Sequence, residues 1–103
     1  MSLPPLLPED RARAVALASA ARSRRAAVKS DLKCGRLGLG EALDRADADP
    51  VLARMPVSDL LAALPRIGPV RAGELMSAVG IAQNRRVGGL GVAQRAELLR
   101  LLA

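Results

Sequence analysis

Leu60-Leu61-Ala62-Ala63-Leu64-Pro65-Arg66-Ile67-Gly68-Pro69-Val70-Arg71-Ala72-Gly73-Glu74-Leu75-Met76 reads as a helix, a tight turn and a second helix. Gly68 lets the backbone approach another molecule with no Cβ in the way, and Pro69 suits the first helical position because its missing N–H would have been unpaired there. The next N–H groups, those of Val70 and Arg71, point outward at the positive end of the helix dipole and form an anion site built of backbone. Arg66 precedes the turn and Arg71 follows it, adding full charges to the partial ones. Upstream, Ser58 is expected to cap a helix over Leu60–Leu64.

The pattern recurs. Arg85-Arg86-Val87-Gly88-Gly89-Leu90-Gly91 precedes an amphipathic helix over Val92–Leu102, with Leu98, Leu99, Leu101 and Leu102 at its apolar end. Gly91 repeats the role of Gly68, Gly89 belongs to the same turn, and the amides of Ala93 and Gln94 are offered beside Arg85 and Arg86. The two turns are expected to work as a pair.

Toward the N-terminus, Leu3-Pro4-Pro5-Leu6 reads as an extended arm over 1–8. A long basic helix follows over 9–34: it starts near Pro8 with Glu9 and Asp10 in its first turn and stops at Gly35. Leu17, Ala21, Val28 and Leu32 approximate an apolar stripe on it, and Arg22, Arg25 and Lys29 form an i, i+3, i+7 row elsewhere. That row is expected to be a second contact surface. Short helices are expected over 41–56, with Asp49 capping and Pro50 at a first helical position, and the two-turn module fills 57–103. The 103 residues thus form one domain, all-α, as a long N-terminal helix plus a compact helical body.

Composition narrows the partner. Sixteen basic residues, fourteen of them Arg, stand against ten acids, for a formal charge of +6. The charge divides into +5 over residues 1–36, −3 over 37–64 and +4 over 65–103, two basic blocks around an acidic connector. Guanidinium matches phosphate oxygens with a fixed fork of donors, so an arginine excess points to a polyanion. There is no Phe, Tyr, Trp or His, which leaves no aromatic platform for unstacked bases. The lone Cys34 has no His beside which to hold zinc, so neither metal nor cofactor is expected. No apolar run is long enough for a membrane span and no export signal is visible; a cytoplasmic protein without a small-molecule substrate fits.

The dispersed matches carry a family resemblance. Leu3-Pro4-Pro5-Leu6, the Arg-rich helix through Lys29 and Leu32-Lys33, Met55-x-Val57, Leu60-Leu61, Leu64-Pro65-x-Ile67-Gly68, Val70-Arg71-Ala72 and Arg85-Arg86-Val87-x-Gly89-Leu90-Gly91 together resemble the short actinobacterial integration host factors. Their hairpins are of the helix-two-turns-helix type. The resemblance implies a nucleoid-associated protein that binds duplex DNA largely without regard to sequence, bends or bridges it, and assists phage site-specific integration beside an integrase complex. Gly68, Val70 and Arg71 would belong to the first turn, Arg85 and Arg86 to the second. Three positions depart from the family pattern: Arg66, Pro69 and Gly88 stand where Gly, Lys and a further Arg are typical.

Other classes remain open on the residues alone. Ribosomal proteins use similar hairpins on RNA, and the acidic connector could recruit a protein in an adaptor. An enzyme is disfavoured, since no His, metal constellation or phosphate-binding Walker loop is present.

Overall fold

Helix α1 owes its length to Ala, Arg and Leu uninterrupted by glycine or proline beyond its first residue. In a computed structural model, which describes residues 7–102, it spans Pro8–Lys33, 26 residues or about 39 Å. The arm expected over 1–8 lies outside the described residues for its first six positions. Five α-helices and one 3₁₀ turn follow: α2 (Leu39–Ala48), α3 (Pro50–Ala53), α4 (Val57–Ala62), α5 (Gly68–Val79), the turn at Val87–Gly89, and α6 (Val92–Leu102). No strand occurs among the described residues, in agreement with the all-α expectation.

One core joins these elements. Leu32 of α1, Leu43 of α2, Met55, Val57 and Leu61 around α4, Met76 of α5 and Leu98 of α6 are all essentially inaccessible to solvent. Without aromatic rings the core is filled by aliphatic side chains and small residues such as Ala42, Ala46 and Ala72, which let helices approach closely. No buried polar side-chain atom lacks a partner among the described residues. The α4–α5 pair is the most extensive helix packing, and it fixes the hairpin between them.

Only part of α1 belongs to that core. Val28 and Leu32 are buried and Ala21 is half-buried, but Leu17, expected on the same stripe, is 67 % exposed. Every residue from 11 to 20 is exposed, because α1 extends past the short helices against which its C-terminal half packs. Arg24 reaches Asp49 at 3.0 Å, and Asp49 also accepts the Val51 N–H at 3.0 Å, so one carboxylate caps α3 and ties it to α1.

Ser58 does not cap α4. That helix, expected over Leu60–Leu64, begins at Val57, one residue before Ser58, and ends at Ala62; its first amide, Val57 N–H, donates to the Arg85 carbonyl at 3.0 Å, while Val87 N–H donates to Met55 O at 2.9 Å. These two bonds flank an isolated antiparallel bridge between Pro56 and Arg86. Pro56 sits at the position of such a bridge that needs no N–H, so a proline is accommodated there without losing a bond. The bridge joins the segment after α3 to the second glycine-rich turn. Helix α2, expected from Glu41, starts at Leu39 instead; Leu39 is buried, and Glu41 accepts the Gly38 N–H at 3.4 Å as half of a capping box.

Candidate nucleic-acid interface

The first turn is shaped by two left-handed residues. Arg66 has φ 67° and Gly68 has φ 68°. For glycine this conformation carries no steric penalty, whereas for arginine it costs about 1 kcal/mol. Pro69 lies in the first turn of α5 behind Gly68. Because α5 opens at Gly68 rather than at Pro69, the leading amides without an intrahelical acceptor are those of Gly68 and Val70, which are left to an external one, while Arg71 stands fourth in the helix and brings its guanidinium. Val70 is 78 % exposed and Arg71 is exposed, paired to Glu74 at 3.3 Å. Since both partners of that pair are more than half exposed, it holds Arg71 only weakly.

The second turn is more heavily braced. Arg85 donates to the Gly89 carbonyl at 3.2 Å and Arg86 to the Arg54 carbonyl at 3.1 Å, so each guanidinium spends one donor on the local backbone and keeps the others free. Gly91 accepts the Arg95 N–H at 2.9 Å and therefore caps α6. The Gln94 side chain is occupied at both ends: its Oε1 accepts the Gly91 N–H and its Nε2 donates to Gly80 O, both at 3.0 Å. It fastens the turn, and only the backbone amides of Ala93 and Gln94 remain available, as at any helix start.

The Gln94 to Gly80 bond also settles where the two turns lie. Gly80 ends α5, so the second turn adjoins the C-terminal end of α5 while the first adjoins its N-terminal end. Twelve helical residues, about 18 Å, separate them. The sequence presents the turns as a pair; the fold holds them as two separate points on one rigid helix.

The C-terminal end of the row on α1 instead approaches the first turn. Arg22, Arg25 and Lys29 run along one edge of the stripe marked by Val28 and Leu32, and Lys33 continues the same edge. Arg22 is exposed, Arg25 and Lys29 half-buried. Lys29 and Lys33 face Asp59 and Ala62 of α4, and Ala63 just past its end, across a shallow cleft. From Lys33 and Ala62 the cleft runs on to Pro65, Arg66, Ile67 and Gly68. Lys33 is legible in the sequence as i+4 from Lys29, but nothing local says that the end of α1 meets the hairpin.

Charge pairing sorts the remaining arginines. Arg95, 27 % exposed in its side chain, is forked between Asp44 at 2.5 Å and Asp47 at 3.0 Å, clamping α6 to α2. Arg36 pairs with Asp31 and Arg100 with Glu97; the Arg100 hydrogen bond holds the Glu97 carboxyl below its ordinary range. Five of the 16 cations and six of the 10 acids are so engaged, leaving eleven cations and four acids without an ion-pair partner among the described residues. Three acids of the connector, Asp44, Asp47 and Asp49, are thereby occupied inside the molecule. Among the described residues no cluster of three or more His, Cys, Asp or Glu side chains is placed to hold a metal, and no helix is long and apolar enough to cross a membrane.

Comparison with known proteins places this geometry. The S13-like H2TH domain family matches residues 32–101, from the end of α1 to the end of α6. The integration host factor of Streptomyces coelicolor is 47 % identical over 100 residues, covering 97 % of this chain and 94 % of that protein. That of Mycobacterium tuberculosis is 48 % identical over 99 residues, covering 96 % and 94 %. A solved structure of sIHF bound to an 8-base-pair palindromic DNA superposes with a TM-score of 0.82 at 43 % identity, covering 84 % of this chain and 97 % of that one. With near-complete coverage in sequence and a shared helical architecture, the chain belongs to the integration host factor family, built on the S13-like helix-two-turns-helix domain.

Proposed function

We propose that this protein is a nucleoid-associated, non-enzymatic factor that binds double-stranded DNA through its phosphate backbone. The observation that carries the reading is a coincidence repeated at two places: a glycine-opened helix start with free amides lies beside arginines that no carboxylate neutralises, Arg66 at the first turn and Arg85 and Arg86 at the second. Backbone amides and guanidinium forks both select phosphate oxygens, and neither reads a base edge, so affinity is largely independent of sequence. Gly68, Val70 and Arg71 supply the first contact, and Gly89, Gly91, Ala93 and Gln94 frame the second, with Gln94 contributing its backbone alone. Arg22, Arg25 and Lys29 extend the first along α1. The DNA-bound sIHF relative supports the same partner.

Two contact points about 18 Å apart on a rigid helix span roughly half a turn of B-DNA, so one duplex touching both must follow the protein's shape. Bending, or bridging of two duplexes, is the mechanical consequence, and a place beside a phage integrase complex is what the family resemblance implies. The acidic connector does not favour an adaptor, since Asp44, Asp47 and Asp49 hold Arg95 and Arg24. Competition for a labelled duplex tests the partner. Unlabelled duplex DNA of unrelated sequence is expected to displace the label at lower concentration than duplex RNA or single strands; the reverse order would assign the protein to RNA.

A further inference from the structure

The cleft between the C-terminal third of α1 and the α4–α5 hairpin is walled by cations and floored by small groups. Lys29 and Lys33 stand on one side, Arg66 and Gly68 at its end, and Ala62, Ala63 and Pro65 leave room between them. None of the three cations has an ion-pair partner among the described residues. A single acid, Asp59, lines the same cleft; it is exposed and likewise makes no ion pair. Its carboxylate therefore shares the space with unpaired ammonium groups without neutralising either at contact distance.

We propose that this cleft seats one phosphodiester strand of the bound duplex, with Lys33 as a further phosphate ligand, and that Asp59 is a brake that limits how tightly the strand is held. The proposal rests on the reading of the protein as a duplex binder. A phosphate entering between Lys29, Lys33 and Arg66 gains their attraction and meets the repulsion of one fixed carboxylate, screened by solvent but within a Debye length. As a structural residue Asp59 would act with the opposite sign: it lies in the first turn of α4, where a negative charge favours the helix, and it draws Lys29 and Lys33 toward α4. Neutralising it should then loosen the fold and the site together. As a brake, its neutralisation tightens binding whatever happens to stability.

The test uses the full chain, a duplex of arbitrary sequence at fixed salt, and a melting curve for each variant. Asp59→Asn is expected to raise affinity by roughly 3-fold, at an unchanged or slightly lower Tm. Lys33→Ala is expected to weaken binding and to flatten the slope of log K against log salt by about 1. Unchanged or weaker binding by Asp59→Asn, with Arg85→Ala/Arg86→Ala still weakening it, overturns the cleft and leaves duplex binding standing. If the wild-type protein itself fails to hold the duplex, both readings fall.

Discussion

Gly88 offers a sharp test of how the second turn is held against the body. A Cβ added there would stand 2.9 Å from Ala53 Cβ, 3.2 Å from Ala53 O and 3.5 Å from Ala53 Cα. These are backbone and Cβ atoms of α3, which no rotamer change can move. Helix α3 is pinned at one end by Asp49 and just past the other by the Val87 to Met55 hydrogen bond, so the clash must be relieved by parting the turn from α3. Overpacking of this kind costs about 1 to 3 kcal/mol, and contact with a carbonyl as well as a methyl puts Gly88→Ala near 2 kcal/mol. At about 4 to 8 °C per kcal/mol for a domain of this size, Tm should fall by roughly 8 to 16 °C. With no aromatic residue in the chain, the assay is far-UV circular dichroism during heating and urea unfolding. Ala53→Gly in the same chain should return most of the loss, with a coupling of about 1 kcal/mol or more in the double-mutant cycle. A loss below about 0.5 kcal/mol, or strict additivity with Ala53→Gly, would refute the close approach. An arginine at this position would meet the same wall in this chain.

Arg95→Ala removes the fork that joins Asp44 and Asp47 to α6 and is expected to lower stability by about 1 kcal/mol, read as a shift in the urea midpoint at constant slope; a change under a few tenths would make the clamp incidental. Arg66→Gly puts glycine at a left-handed position, so stability should hold or rise while the salt slope of duplex binding flattens by about 1. Loss of more than about 1 kcal/mol in that variant would show that the backbone there is not what the turn requires.

Much of this fold is legible in local chemistry. Proline at the start of α1, glycine just past its end, and Asp49-Pro50 before α3 are signals that act within one turn of helix. The start of α2 moves for a local reason, the Gly38–Glu41 contact, whereas the failures at Ser58 and Leu17 depend on neighbours far away in sequence. Ser58 has the right chemistry for a cap, yet α4 already starts at Val57, whose N–H is met by the carbonyl of Arg85, 28 residues on, and the Leu60 N–H that Ser58 would have capped goes to Pro56 O. Leu17 has the right spacing for burial, yet the body does not extend beneath it.

The candidate site divides along the same line. Glycines and arginines mark both turns in the sequence, while their separation by α5 and the meeting of Lys33 with Arg66 belong to tertiary structure. Arginine content is also a blunt signal on its own. Arg95 and Arg24 contribute to the basic count as fully as Arg85 and Arg86, but their forks are already filled by connector acids. Only the ion-pair pattern separates arginines that hold the protein together from those that face outward. Gln94 shows a further subtlety, since its backbone remains a donor although its side chain is committed to Gly91 and Gly80.

The central claim, that free arginines beside two helix starts bind phosphate, is tested most directly by measuring duplex affinity against salt for the wild-type chain and for Arg85→Ala/Arg86→Ala. Five neutralised phosphates correspond to a slope of log K against log salt of roughly −4 to −5, and loss of both arginines should flatten it by about 2, while loss of the two exposed backbone hydrogen bonds they donate lowers stability by about 1 kcal/mol. A double variant that binds with the wild-type slope would contradict the assignment and remove the second turn from the interface.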